Sequence, residues 1–533
     1  FVTRYGFSNA HGFSDLDPMI MPRAALTYDI DDFGVFTRAQ LRGGIGVFSG
    51  GDPLVWFGNA FQNNGFGFAE GTTQDASCPA SPIDVVVNGQ FTGLPDCIRA
   101  VGAARANRGE GDAQSIDPNI KTPTVFRANL GFSSRLNFAP TGFFSNWNIN
   151  LDYIYSHYIN PYNVQDLSQI PAIAGWTTSG GGAALPAIGV MGFAIDGRPI
   201  YRAIDPNVTG CDAQLVSTSP TPQYTNVTPI CFNTSRDDEL MLTNAQGYDT
   251  HIASGVLSKN WDSGILTPGG NVFFALGYAY TNAQDRRNMF NSTAGSNFDQ
   301  TAAFDRQNPA PSRGFFESRH NLTLNARFSE QFFDDLDTTM GISFVARSGR
   351  PYSLTFNGSG VFADSSSGSN NALIYLPTGT TDPNISPTSN MTAVADLVSF
   401  ASGLKCAAKY LGQTVPRNSC TNEWYYDLDL RFSQELPGFS RITGFGGARD
   451  SIRVYATIDN FLNLLKDSWN VQYRRQFAGL QAIGNSSGVD SQGRYIITAL
   501  PGGQTSQQRF DQDRFINFSG SVWRLKVGVS YQF

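Results

Sequence analysis

From Trp523 to Phe533 the chain alternates: Trp523, Leu525, Val527, Val529, Tyr531 and Phe533 fall on one parity, and Arg524, Lys526, Gly528, Ser530 and Gln532 on the other. The same period runs through other stretches. Trp147, Ile149, Leu151, Tyr153 and Tyr155 oppose Asn148, Asn150 and Asp152. Trp424, Tyr426, Leu428, Leu430 and Phe432 oppose Asp427, Asp429 and Arg431. Ile452, Val454, Ala456 and Ile458 oppose Arg453 and Asp459. Val272, Phe274, Leu276, Tyr278 and Tyr280 share a parity, as do Leu322, Leu324, Ala326 and Phe328. A period of two places successive side chains on opposite faces of a strand. The pattern predicts strands at roughly 22–30, 36–49, 122–138, 145–160, 247–260, 270–284, 317–330, 335–350, 422–436, 451–464 and 520–533.

The connections between these segments alternate. Short ones cover 31–35, 139–144, 261–269, 331–334 and 437–450; long ones cover 50–121, 161–246, 285–316, 351–421 and 465–519. A soluble sandwich has short strands and no reason to segregate its long loops to one end. Outer-membrane barrels do, with short periplasmic turns and long extracellular loops. The fold class expected is therefore all-β, an antiparallel transmembrane β-barrel wall in the bacterial outer membrane, in contact with the lipid bilayer and lipopolysaccharide. The apolar parity would face lipid, because turning Arg524 and Lys526 outward costs about 2–4 kcal/mol each near the midplane. Asp427, Asp429, Arg431, Arg453, Asp459, Arg524 and Lys526 would then face the lumen or a plug, with pairing across neighbouring strands expected among the first five.

Composition agrees with a barrel wall. Only 15% of the 533 residues are charged, Phe occurs 41 times, and the net charge of −7 without basic runs argues against a nucleic-acid partner. No apolar run is long enough for a membrane-spanning helix, and the first residues hold no signal peptide. The six cysteines fall as local pairs, Cys78 with Cys97, Cys211 with Cys231 and Cys406 with Cys420, all in long connections. Three loop disulfides formed in an oxidising compartment are expected, the alternative being clustered free thiols.

Several motifs resemble a known family. A last strand closing on Tyr531 and Phe533 is similar to the signal read by the barrel-assembly machinery. "ESRHNLTLNARFS" with "VARSGRPYS", and "YDLDLRFSQELPG" with "VYATIDNFLNLL", resemble hairpins of TonB-dependent receptors. "LRGGIGVFSGGDPLVWFGNAFQNNG" and "PRNSC" before "YYDLDLRFSQ" resemble the Oar-like members. The resemblance implies a 22-stranded barrel with a plug, energised by the TonB–ExbB–ExbD complex. It implies that about eleven strands here are the C-terminal half, with residues 1–21 the end of an extracellular loop and 22–533 barrel. Plug and N-terminal half would be a preceding segment or a second chain, since half a barrel exposes two unpaired edges to lipid.

Other readings stay open. "GRPIYRAI" (197–204), "DELMLT" (238–243), "NALIYLPT" (371–378) and "GRYIITAL" (493–500) are expected as loop hairpins; counted as wall strands they would give a passive porin of about 16 strands. A secreted adhesive β-protein is the third reading. His11, His157, His251 and His320 are scattered without nucleophile partners, so no enzyme is expected; His320 is read as a rim contact. No cofactor is expected, although "DQD" (511–513) and the acidic stretch 363–371 could bind Ca²⁺ weakly. The stretch 391–412 carries Val394, Leu397, Val398, Ala401, Leu404 and Ala408 on one helical face, and is read as a loop helix pinned by Cys406 and Cys420. Substrate and direction of transport are not encoded in any motif.

Overall fold

Eleven long strands pair in chain order: β1 (Arg23–Ile30), β2 (Phe36–Ser49), β3 (Thr124–Leu136), β4 (Trp147–Ile159), β5 (Tyr248–Trp261), β6 (Gly270–Asp285), β7 (His320–Phe333), β8 (Leu336–Arg347), β9 (Tyr425–Pro437), β10 (Ser451–Asp459) and β11 (Arg524–Gln532). The computed structural model describes residues 5–9, 18–51, 54–66, 86–91, 93–107, 113–171, 192–206, 208–232, 239–333, 335–358, 360–362, 370–444 and 450–532. Every neighbouring pair of these strands is antiparallel. A two-residue strand, Ser312–Arg313, adds to the end of β6. The fold is therefore all-β, a meandering antiparallel wall of the kind outer-membrane barrels are built from.

The register makes the two faces explicit. One row crosses nine strands as Tyr28, Leu41, Phe132, Leu151, Gly255, Tyr278, Leu322, Ala346 and Tyr426. The row one residue away is Thr27, Arg42, Gly131, Asp152, Ser254, Ala279, Asn321, Arg347 and Tyr425. A one-residue step thus exchanges an apolar, aromatic face for a polar, charged one, which fixes the register of every strand. Nothing in the described chain covers the apolar face: Val527 is 69% and Leu26 72% exposed. β1 and β11 are the sheet edges, each paired on one side only among the described residues.

The short turns are held by side chains. In the turn between β5 and β6, the Glu330 carboxylate of β7 accepts hydrogen bonds from the N–H groups of Ile265 (2.5 Å), Leu266 (3.1 Å) and Thr267 (2.9 Å). These are donors that the sharp turn leaves without backbone partners.

Some element ends differ from the sequence reading. β10 was expected to reach 464 but stops at Asp459, because Asn460 is left-handed (φ 53°) and starts the helical turn Phe461–Leu465. β11 starts at Arg524 rather than 520, because Phe518–Ser521 forms a turn closed by the Ser521 hydroxyl on the Asn517 carbonyl (2.8 Å). The helix expected over 391–412 breaks in two. Helix α1 (Met391–Gly403) is capped by the Asn390 side chain, and Leu404 (φ −105°, ψ 107°) separates it from Lys405–Ala408.

The long connections build apolar cores of their own. Leu354, Phe356, Ile374, Leu376, Val394, Leu397, Ile483, Tyr495 and Ile497 bury together beside α1. A four-stranded sheet carries much of this core, with Pro351–Asn357 between Cys420–Thr421 and Leu480–Val489, and Tyr495–Thr498 at its edge. Ile116, Tyr162, Val164, Leu240, Leu242 and Phe298 form a second core on a three-stranded sheet. Of the four doubtful segments, Tyr201–Ala203 pairs with Gln169–Pro171, Tyr375–Leu376 with Gln413–Thr414, and Tyr495–Thr498 with Leu480–Val489, none of them in the wall. Only the last of these is a hairpin; the first two pair with strands distant in the chain, and the remaining segment, Glu239–Asn244, lies between Tyr162–Asp166 and a parallel Ala113–Ile116. Tyr5 packs against Leu167 and Met241 in the same loop assembly.

Candidate functional site

All seven sequence-predicted lumen charges lie on the polar face, and the structure pairs only some of them. The Lys526 ammonium is 2.7 Å from the Asp459 carboxylate. Arg453 is ion-paired with Glu435, a residue of the same parity that the sequence reading passed over. Asp427 accepts the Tyr425 hydroxyl (2.7 Å), Asp429 the Asn460 N–H (2.8 Å), and Arg431 lies over the Tyr455 ring at 5.5 Å. Arg524 donates to the Ser519 carbonyl (2.6 Å). The expected pairing among Asp427, Asp429, Arg431, Arg453 and Asp459 is therefore corrected. Asp427, Asp429, Arg453 and Asp459 are engaged by hydroxyl and backbone groups or by charges outside that set, and Arg431 by a ring.

A further pair, Arg42 and Asp152 at 3.3 Å, reaches from β2 to β4 across β3. It can do so because Gly131 stands between them. A Cβ there would come within 2.6 Å of the Asp152 carboxylate and 2.7 Å of Arg42 Nε.

Above the wall, buried arginines bind one long connection to another. Arg287 donates to the Asn163 side chain (2.6 Å) and to the Arg306 and Phe298 carbonyls. Arg306 itself pairs with Asp299 (2.8 Å). Arg417 donates to the Asp285 carboxylate and carbonyl, to Asn288 (3.3 Å) and to Ser312 (3.0 Å). Arg198 donates to the Leu373 carbonyl (2.5 Å) and lies over the Phe362 ring. Burial lowers the Arg287 guanidinium well below its ordinary value, the direction that desolvation imposes on a cation. Two disulfides add to these ties, Cys211–Cys231 and Cys406–Cys420. Cys97 is disulfide-bonded as well; Cys78, like His11 and Phe533, lies outside the described residues.

Where this loop body meets the wall, a cavity of about 470 Å³ opens at the upper ends of β7, β8 and β9. Arg347, Arg350, Arg474 and Arg475 line it, together with Phe315, Trp424, Tyr425, Tyr473, Phe477 and Phe515. Each guanidinium rests on a ring: Arg347 on Tyr425 (4.8 Å), Arg350 on Phe316 (5.2 Å), Arg474 on Phe515 (5.3 Å) and Arg475 on Phe510 (3.6 Å). The single acidic lining residue, Glu423, is paired with Arg514 at 2.5 Å. Burial also lowers the Arg475 guanidinium. Arg347 belongs to the polar row of the wall, so the cavity joins the loop body to the polar face. In sequence "VARSGRPYS" stands out only as part of a receptor-like hairpin, and nothing marks Arg474 and Arg475, which arrive from another loop.

The three described histidines lie in an aromatic band at the loop end of the apolar face. Tyr153 bonds His251, and Tyr278 bonds His320, each at 2.8 Å. His157 lies 2.9 Å from Asp249, and His320 stacks on Trp424 at 5.8 Å. A second band lies at the turn end, where Phe143 packs on Trp147 and Trp261, and Trp147 packs on Phe274. Of the two acidic stretches considered for Ca²⁺, 363–369 lies outside the described residues. Asp511 and Asp513 each accept a glutamine side chain. No group of three or more potential metal ligands occurs among the described residues.

No family model matches this sequence, and no curated protein does. Among solved structures, the chain is similar to a chain of the RagAB peptide importer in its closed-closed state, with 10% identity and a TM-score of 0.32. The match covers 83% of this chain and 39% of the importer chain, so this chain spans well under half the length of that neighbour.

Proposed function

We propose that this chain is the wall and outer loop assembly of an energy-coupled transporter of the bacterial outer membrane. The observation that carries the reading is the pair of adjacent rows, Tyr28 to Tyr426 and Thr27 to Tyr425, with opposite chemistry and nothing packed on the apolar one. An apolar surface that spans a whole sheet far exceeds what a soluble monomer leaves in water. Hydrocarbon is the solvent in which it has no cost. The two aromatic bands support the same environment. Trp147 and Tyr155 on β4 are eight residues apart, about 26 Å along the strand, or roughly 20 Å of height at a tilt near 40°. That is close to the apolar belt of such barrels, about 25 Å.

The free edges of β1 and β11 would expose unpaired backbone groups to lipid, at several kcal/mol each. In this proposal further strands, from a preceding segment or a second chain, complete the ring to about 22. A plug seated against the polar row and coupled to TonB–ExbB–ExbD rests on the receptor-like hairpins around His320–Ser353 and Tyr426–Leu465. Lipopolysaccharide is the outer-leaflet neighbour of the upper aromatic band.

The test is depth-resolved fluorescence quenching by brominated lipids, in native protein reconstituted into bilayers. Trp147, Trp261 and Trp424, read in single-tryptophan variants, are expected to be quenched. Trp56, which packs on Tyr162 within the loop cores, is expected to be unaffected. Equal quenching of all four, or none, removes the membrane reading. Energy coupling is tested separately: uptake should stop when the proton-motive force is collapsed, and a passive pore would continue.

A further inference from the structure

We infer that the arginine-lined cavity at the top of β7, β8 and β9 is a recognition site for a small planar solute bearing two or more oxyanions. The inference rests on the transporter reading and adds the chemical class of the ligand. The chain as a whole is acidic, at −7, yet this cavity gathers four guanidinium groups against one carboxylate, which Arg514 already engages. Arg347, Arg350 and Arg474 have no carboxylate within 4 Å and make no side-chain hydrogen bond among the described residues. Elsewhere in the loop body arginines are consumed by carbonyls and carboxylates, as Arg287, Arg306 and Arg417 are. Arg347, Arg350 and Arg474 are held by ring faces instead, while Arg475 also donates to the Phe510 carbonyl and the Gln481 side chain, each at 2.6 Å, and so frames the cavity. A guanidinium set over an aromatic ring is held by that contact without spending its N–H donors, which stay available for a fork-like pair with an oxyanion.

The pattern selects a ligand. Several preorganised forks favour carboxylate, phosphate or sulfonate groups, which accept two parallel N–H bonds. The rings of Phe315, Phe477 and Phe515, set among those forks, favour a flat apolar body between the charges. The volume of about 470 Å³ suits a low-molecular-weight solute and not a folded protein. Position adds to this, since Arg347 is shared by the cavity and the lumenal row, so a bound solute would already be at the start of the passage.

The experiment uses the native complex in a neutral detergent, with the planar trisulfonate dye pyranine as probe and fluorescence anisotropy as readout. Saturable binding is expected, weakening as salt rises. The double variant Arg350→Gln/Arg474→Gln should lose at least about tenfold in affinity, and Lys121→Gln, an exposed cation outside the cavity, should lose none. Intact disulfides and an unchanged urea midpoint would show that the double variant is folded. Displacement by benzenehexacarboxylate supports a free solute. Displacement by lipopolysaccharide micelles alone would assign the site to headgroup phosphates and overturn the solute reading. Absence of saturable binding, or equal binding by the double variant, overturns the inference outright. Brominated-lipid quenching of Trp147 and Trp261, which lie outside the cavity, is independent of these arms, so failure of the ligand class and failure of the membrane reading are separable.

Discussion

The Tyr531 hydroxyl donates a 2.6 Å hydrogen bond to Oδ2 of Asp450 and so ties the last strand to the turn that precedes β10. The Ser440 hydroxyl and N–H bond the same carboxylate. Donors converging on the ionised form, first Ser440 and then Tyr531, hold Asp450 down to about 2. In the unfolded chain an aspartate titrates near 3.9. A depressed value means the contribution is fully present above about pH 4 and is lost as the pH falls toward 2. The difference in urea midpoint between the native protein and Asp450→Asn should therefore be constant above about pH 4 and shrink below it. A difference that does not change with pH would show that the Asp450 charge plays no part.

Parity predicts opposite costs at adjacent positions of β11. Val527→Lys places a cation on the apolar face and should cost about 2–4 kcal/mol if it sits near the midplane. Lys526→Gln breaks the exposed pair with Asp459 and should cost less than about 1 kcal/mol. Urea titrations in lipid vesicles compare the two directly, and similar costs would mean that both faces meet the same medium.

Gly131 has a packing role that its small size alone makes available. Gly131→Ala should separate Arg42 from Asp152 and destabilise the wall by about 1–2 kcal/mol. In an Arg42→Ala background that penalty should fall, because the crowded partner is gone. A double-mutant cycle with no coupling would show that the pair is not strained by the methyl group.

Arg417 neutralises the Asp285 carboxylate where the loop body meets β6. Removing one partner of such a buried pair typically costs 3–5 kcal/mol. Arg417→Ala should thus speed amide exchange across 412–421 and 285–291, and Arg417→Lys should rescue it only in part, since one ammonium cannot reach Asp285, Asn288 and Ser312 together. Unchanged exchange in Arg417→Ala would show that the loops are held without this contact.

The wall was legible because each strand states its own two faces. Between Trp147 and Tyr155, or Tyr426 and Phe432, the solvent on either side is written into successive residues, and no distant contact has to be known. The loop body was not legible for the opposite reason. Arg287 meets Asn163 from 124 positions away and Arg417 meets Asp285 from 132, and neither partner sits in a local pattern that announces the other. The cavity failed in the same way: Arg347 and Arg350 lie in a recognisable segment, whereas Arg474 and Arg475 join them only through folding of the 465–519 connection. Glu435 is different. Its parity placed it with Asp427 and Asp429, and it could have been named as the partner of Arg453.

The arginines that join the loops also bear on how cargo would pass in the proposed transporter. Arg198, Arg287 and Arg417 connect the segments 161–246, 285–316 and 351–421, and the Tyr495 hydroxyl bonds Asp196 at 2.8 Å to bring in the segment 465–519. A vestibule cast as one piece does not open by the fluttering of single fingers. In the proposed transporter, a valve that admits or refuses a molecule would accordingly work below these joined loops.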